Sequence, residues 1–398
     1  MAIRTPARCA GIAALISSVA SMASAAAPAP LPAGCELAAR GVAAQPGGDA
    51  LKPVFPPIQL QVRTPVEPIP FPSGGREYLV YELHLQNFSS DALDIRGIDV
   101  FDAGKAGLAP VARFEGAQLA AALNAPGVDG GDDAQRNRLE ARQGVVAFLC
   151  LAFDDKAAVP GKLRHRVRLG EASAEGPVIG VRRTALPVLG RPVAGKDWSP
   201  RNGPHIGSHH RMGLWVSEGH ASISRRFAID WRIVKNGELF SGDARDPKSY
   251  YAYGQDVLAV ANGTVVRARD GSPDNVPRTA AGFSPALPVT MDTIDGNAVV
   301  LRLGNGQYAY YAHLQPGSVR VREGDRVRRG QRLGRIGNSG DSRWPHLHFQ
   351  LTTTPSLMGS EGMPFVLDRY RMMGADGNWQ ARSREFPWGD DVAIDFGD

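Results

Sequence analysis

Hydrophobic and polar positions alternate with a period of two over the first half of the chain. Leu79, Tyr81, Leu83 and Leu85 interleave with Glu82, His84 and Gln86, as in a strand with one buried and one solvated face. Leu163, His165, Val167 and Leu169 alternate likewise with Arg164, Arg166 and Arg168. Between them Val145 to Phe153 is apolar at every position, which predicts a central strand covered on both faces. About seven such strands predict an immunoglobulin-like β-sandwich over 58–190, with one or two short helices between Ala117 and Arg142. His84 and His165 read as a solvated residue and a core residue, and no catalytic group stands out in this half.

Prolines 187, 192, 200 and 204, with several glycines, mark a connection between two domains. Beyond it the pattern is again all β. Asn262-Gly263 and Asn305-Gly306 each separate two apolar runs and predict two antiparallel hairpins, because such dipeptides supply positive φ angles. A second β domain is therefore expected over 200–375, followed by an Asp- and Gly-rich tail over 376–398. Arg320, 322, 326, 328, 329, 332 and 335 interleave with Val319, Val321, Val327, Leu333 and four glycines. That is the pattern of outward-facing positions on short strands, rather than a nucleic-acid patch. Lipoyl and biotinyl carriers share the Val-Gly pattern but need an exposed lysine at a turn, and no lysine follows Lys248.

Arg4 and Arg8, an apolar stretch and Ala23-Ser24-Ala25 read as a secretory signal over 1–25, followed by an Ala/Pro-rich lead-in over 26–57. Export to a periplasmic or extracellular site follows. No later segment has the roughly 20 apolar residues of a membrane span. Removing the two arginines lowers the net charge from +5 to +3, too weak a bias to imply nucleic acid. Cys9 leaves with the signal, and Cys35 and Cys150 remain as a pair able to form a disulfide in an oxidising compartment. Leu31-Pro32-Ala33-Gly34 before Cys35 fits a lipid-attachment signal poorly.

Seven of the nine histidines lie between His205 and His348. His346 and His348, two apart on a strand, project from one face and can enter one pocket. No His-Glu-x-x-His and no Gly-x-Ser-x-Gly occurs, and both mature cysteines lie outside the histidine-rich half. These absences exclude a helical zinc protease and a serine-elbow hydrolase, and argue against a thiol peptidase.

Gln255–Gly263, Gly296–Val300, Tyr311–Leu314, the glycines from 324 to 340 and Pro345–Phe349 together resemble the lysostaphin/LytM-like zinc metallopeptidases, which are peptidoglycan endopeptidases. The resemblance covers about residues 205–370. It implies an antiparallel β-sheet or barrel-like peptidase domain, a Zn2+ ion, and a peptidoglycan peptide as substrate. It further implies that His348 and Asp230 are zinc ligands and that His313 and His346 activate water and stabilise the oxyanion. The family's pattern has a histidine four residues before the aspartate, and this chain has Arg226. Catalytic zinc takes three protein ligands, so another histidine must serve. If Glu218-Gly219 turns a hairpin, His210 lies opposite Arg226 or Phe227 and becomes the third ligand. A register slip would favour His209. His220, ten strand residues from Asp230, would lie about 33 Å away. The alternative function is a catalytically silent relative that binds cell wall or activates another hydrolase, with the N-terminal domain available to a protein partner.

Overall fold

The computed structural model describes residues 30–37, 58–105, 109–124, 137–390 and 392–397. Among these the one α-helix is Gly116–Ala122, and apart from two 3-10 turns, Lys156–Ala158 and Pro247–Ser249, the rest of the regular structure is β, as the alternation required. The signal over 1–25 and residues 125–136 of the expected helical stretch lie outside the described residues. No described helix is long and apolar enough to cross a membrane.

Two six-stranded sheets form the N-terminal half. The first runs Glu36–Leu37, Gly144–Phe153, Arg76–Asn87, Leu60–Arg63, and the second runs Ala172–Glu175, Lys162–Leu169, Leu93–Asp102, Ala112–Phe114. Their facing sides bury Leu79, Tyr81, Leu83, Ile98, Leu149 and Val167 in one core. His165 is a buried core residue whose ring meets the Tyr81 hydroxyl at 2.8 Å. Cys35 and Cys150 are joined by a disulfide, and Glu36–Leu37 pairs in parallel with Leu151 and Ala152. The Ala/Pro-rich lead-in expected over 26–57 is packed at this point: residues around Cys35 are stapled to the central strand.

The C-terminal half is built on one ten-stranded sheet. Its order is Arg326–Val327, Gly263–Arg269, Asn297–Leu303, Tyr308–Leu314, Leu347–Thr352, Ile229–Ile233, Trp198–Arg201, Ile394–Asp395, Tyr370–Met373, Trp379–Arg382. Asn305-Gly306 closes the expected hairpin, with Gly306 at φ 82. The hairpin expected at Asn262-Gly263 does not form. Asp256–Leu258 pairs instead with Arg332–Arg335, while Gly263–Arg269 pairs with Asn297–Leu303, and neither Asn262 nor Gly263 adopts positive φ.

Two expected boundaries change as well. Trp198–Arg201, inside the proline-rich connection, is an inner strand of the sheet, and the expected tail over 376–398 supplies two of its strands. Both changes have one cause: Trp198, Phe386, Trp388 and Ile394 are large apolar groups that the sheet buries. The same cluster takes in Phe71, Tyr78, Val80 and Cys150 from the outer face of the first N-terminal sheet. Phe71 stands at its centre, with ring centroids 5.3 Å from both Phe227 and Phe386. The two halves therefore share a continuous apolar core. Glu82, expected on a solvated face, is buried because the C-terminal half covers that face.

Candidate metal centre

Strand register assembles one wall of the site. Asp230 is paired with His348, and Ala312 is paired with His348 on its other side. Opposed residues share a sheet face, so the pleat sends Asp230 and His348 into the same cleft. His346 and Gln350 follow the same alternation. His313 comes one residue after Ala312, so an unbroken strand would turn it to the other face. Its φ of 65 lies outside the β region, and its ring centroid comes to 4.9 Å from that of His346.

The remaining histidine arrives on a loop. The hairpin at Glu218-Gly219 exists with the expected register, Trp215 opposite Ser222, but pairing ends there. His210 does not stand opposite Arg226 on a strand. It sits on a turn in which the Ser208 hydroxyl donates to the Asn202 carbonyl and accepts from the His210 amide. The result is still the expected neighbour: His210 Nε2 lies 3.6 Å from Asp230 Oδ1. Arg226 points away from the cleft, toward Glu82 and Glu361. His220 is exposed on its hairpin and takes no part in the site.

Hydrogen bonds fix which ring nitrogens are bare. The Gln350 amide donates to the Leu357 carbonyl at 3.0 Å, so its oxygen faces His348 Nε2 at 2.8 Å and must accept a proton from it. His348 Nδ1 is then a bare lone pair 3.0 Å from Asp230 Oδ1. His210 donates from Nδ1 to the Asn202 carbonyl at 3.0 Å, leaving Nε2 bare. Asp230 Oδ2 accepts from the Asn202 side-chain amide at 2.6 Å, and Oδ1 faces the His210 and His348 rings, with His346 beside them. Three acceptors converge with no donor between them, an arrangement that repels itself unless a cation joins it. Nitrogen, nitrogen and oxygen donors of this kind suit zinc, and the carbonyl and amide behind each ring are the outer partners that orient metal-binding histidines. His209 also brings a ring nitrogen within 4.8 Å of the His210 and Asp230 ligand atoms. It is more exposed, and no hydrogen bond among the described residues fixes its ring.

His346 Nδ1 faces the Trp344 carbonyl at 2.7 Å, and His313 Nδ1 faces the Ser339 carbonyl at 2.8 Å, so each presents a bare Nε2. His346 Nε2 is 3.3 Å from Asp230 Oδ1. Burial holds His210 and His313 well below the usual imidazole range, and lowers His209 to about 4. Burial opposes ionisation of Asp230 too, but His210 and His346 outweigh it and keep its carboxyl well below the usual range. The site is thus a carboxylate ringed by buried imidazoles, lining a cleft of about 660 Å³.

A model described as Peptidase family M23 matches residues 249–359. The chain carries an M23 peptidase domain. The matched stretch of the M23 domain contains His313, His346 and His348, while His210 and Asp230 precede it. The chain is 31% identical over 147 residues to the peptidoglycan DD-endopeptidase ShyA of Vibrio cholerae, covering 36% of this chain and 31% of the relative. It is 34% identical over 79 residues to ShyC of the same organism, covering 20% of this chain and 18% of the relative. It thus spans less than a third of the length of these curated relatives. The catalytic domain of lysostaphin from Staphylococcus simulans matches with a TM-score of 0.22 at 23% identity, covering 37% of this chain and 80% of that one.

Asn202 and Gln350 are the site residues that the sequence reading missed. Gln350 was accessible to it, since positions 346, 348 and 350 share one strand face; Asn202 acts through a loop that no periodicity describes.

Proposed function

We propose that this chain is a zinc-dependent endopeptidase that hydrolyses peptide bonds in peptidoglycan stems or cross-links, with His210, Asp230 and His348 as ligands. The observation that carries the reading is the meeting of three undonated lone pairs on those residues, beside two further bare imidazole nitrogens. The M23 domain and the wall-cutting relatives support the same substrate class. Bound zinc supplies Lewis acidity, polarising a carbonyl and making water easier to deprotonate.

The chain's own groups do the rest. His346 and His313, each aiming a bare Nε2 into the cleft, can take a proton from attacking water and return it to the departing amine. The Trp344 and Ser339 carbonyls hold both rings in the tautomer that accepts at Nε2. His209 stands beside this set as a rim group. The silent-relative reading draws on Arg226 in the family's histidine position, and His210 beside Asp230 supports the catalytic reading over it.

In the same reading 1–25 directs export to the periplasm or exterior, a sandwich domain occupies about 58–190, and the peptidase domain follows. A protein partner for the N-terminal domain belongs to this proposal too.

Purified protein should hold about one zinc per chain. His210→Ala and His348→Ala should lose it, His220→Ala should retain it, and digestion of purified sacculi should release cross-link fragments only from the zinc-loaded protein. Absence of zinc from the native protein would overturn the proposal.

A further inference from the structure

Five arginines and two aspartates line the cleft. The aspartates are engaged: Asp230 by the histidines and Asn202, and Asp341 by Arg343 at 2.6 Å. Two of the arginines stand apart from the rest. Arg225 and Arg232 are only partly exposed, each buries an Nε without a hydrogen-bond partner, and neither forms an ion pair among the described residues. A guanidinium is a planar fork suited to a carboxylate, and one already stripped of part of its water binds such a partner strongly.

Register says where that partner would sit. Arg232 is two residues beyond Asp230, so it shares the ligand's sheet face about 6.6 Å farther along. Continued two residues past the Asp230–His348 pair, through Trp231–Leu347, the same register sets Arg232 beside His346. Its guanidinium carbon lies 5.5 Å from the Trp344 ring, which holds the arginine against the cleft wall.

We propose that Arg225 and Arg232 form an anion subsite that holds a free carboxylate of the substrate peptide next to the scissile bond. The cleft then selects carboxylate-bearing stem peptides over neutral glycine bridges. This rests on the peptidase reading, from which it is separable by binding.

The test uses the zinc-loaded full chain and two synthetic diaminopimelate-containing peptides that differ only in a free carboxylate or its carboxamide. Each is made in cleavable form and with a reduced scissile bond. Calorimetry on the uncleavable pair should show about tenfold tighter binding of the carboxylate form, which is about 1.4 kcal/mol. Arg225→Gln and Arg232→Gln should each remove most of that difference, and Arg232→Lys should keep part of it. Zinc content and Tm establish that each variant is folded.

Equal binding of the two peptides by the unaltered protein overturns the subsite, whatever the variants do. A preference that survives both substitutions overturns its assignment to these residues. If the preference holds but neither cleavable peptide is cut, the peptidase reading fails and the subsite stands. If both are bound and cut equally, the reverse is true.

Discussion

The two sides of the candidate metal centre are built on different principles. Asp230 and His348 are paired residues on neighbouring strands in the middle of a ten-stranded sheet, and the backbone ladder alone brings them together. His210 sits on a turn that no ladder holds, and the residue after it anchors the loop to the other half of the molecule. Arg211 is fully buried, donating to the Glu82 carboxylate and to the Tyr81 carbonyl at 2.9 Å. Glu82 also receives Arg226 at 2.8 Å. A ligand on a sheet is fixed by local register; a ligand on a loop needs an external brace, and here the N-terminal sheet provides it.

The largest effect should come from cutting that brace. Glu82→Ala leaves Arg211 and Arg226 buried without their shared carboxylate and should cost about 3–5 kcal/mol of stability. The comparison predicts more than a lower Tm. Zinc affinity should fall in the variant even at temperatures where it is fully folded, and unchanged affinity would show that the loop holds His210 unaided.

Gln350→Leu probes the sheet side. It removes the acceptor that fixes the His348 tautomer and leaves the register intact, so zinc affinity should drop about 10–100-fold, with a smaller loss of metal-free Tm than in Glu82→Ala because the Leu357 carbonyl and His348 Nε2 lose a neutral partner. Equilibrium competition with a chelator reads this directly.

The smallest effect concerns pH. His209 and His210 have folded pKa values below the usual range through burial, so the unfolded chain binds protons that the folded chain refuses. Metal-free protein should be most stable above about pH 6.5 and lose Tm as pH falls below it. A Tm that is flat from pH 7 to pH 5 would mean that these rings are not held neutral.

This contrast also marks what the sequence could tell. Asp230, His313, His346 and His348 were legible because strand alternation and ordered motifs are local. His210 was reached through a hairpin whose turn is real and whose extension to Arg226 is not, since pairing ends at Trp215 and Ser222. Glu82 read as solvent-facing because a period of two distinguishes the faces of a strand without saying what covers them. The C-terminal strands were missed for a similar reason: short, Gly- and Asp-broken segments carry little periodicity, and Phe386 and Trp388 reveal their role only through the core they enter.

Arg226 occupies the position from which a histidine would be expected to reach the metal, and a designer would be tempted to restore it. The restoration is blocked by context. Arg226 contributes three contacts to Glu82 and one to Glu361 from a side chain directed away from the cleft. Arg226→His would leave Glu82 with Arg211 as its remaining partner and Glu361 without its arginine, and would supply no ligand, so what resembles a repair in an alignment is a lesion in this fold. The two arrangements are separate solutions, and passing between them requires the loop, the brace and the ligand to change together.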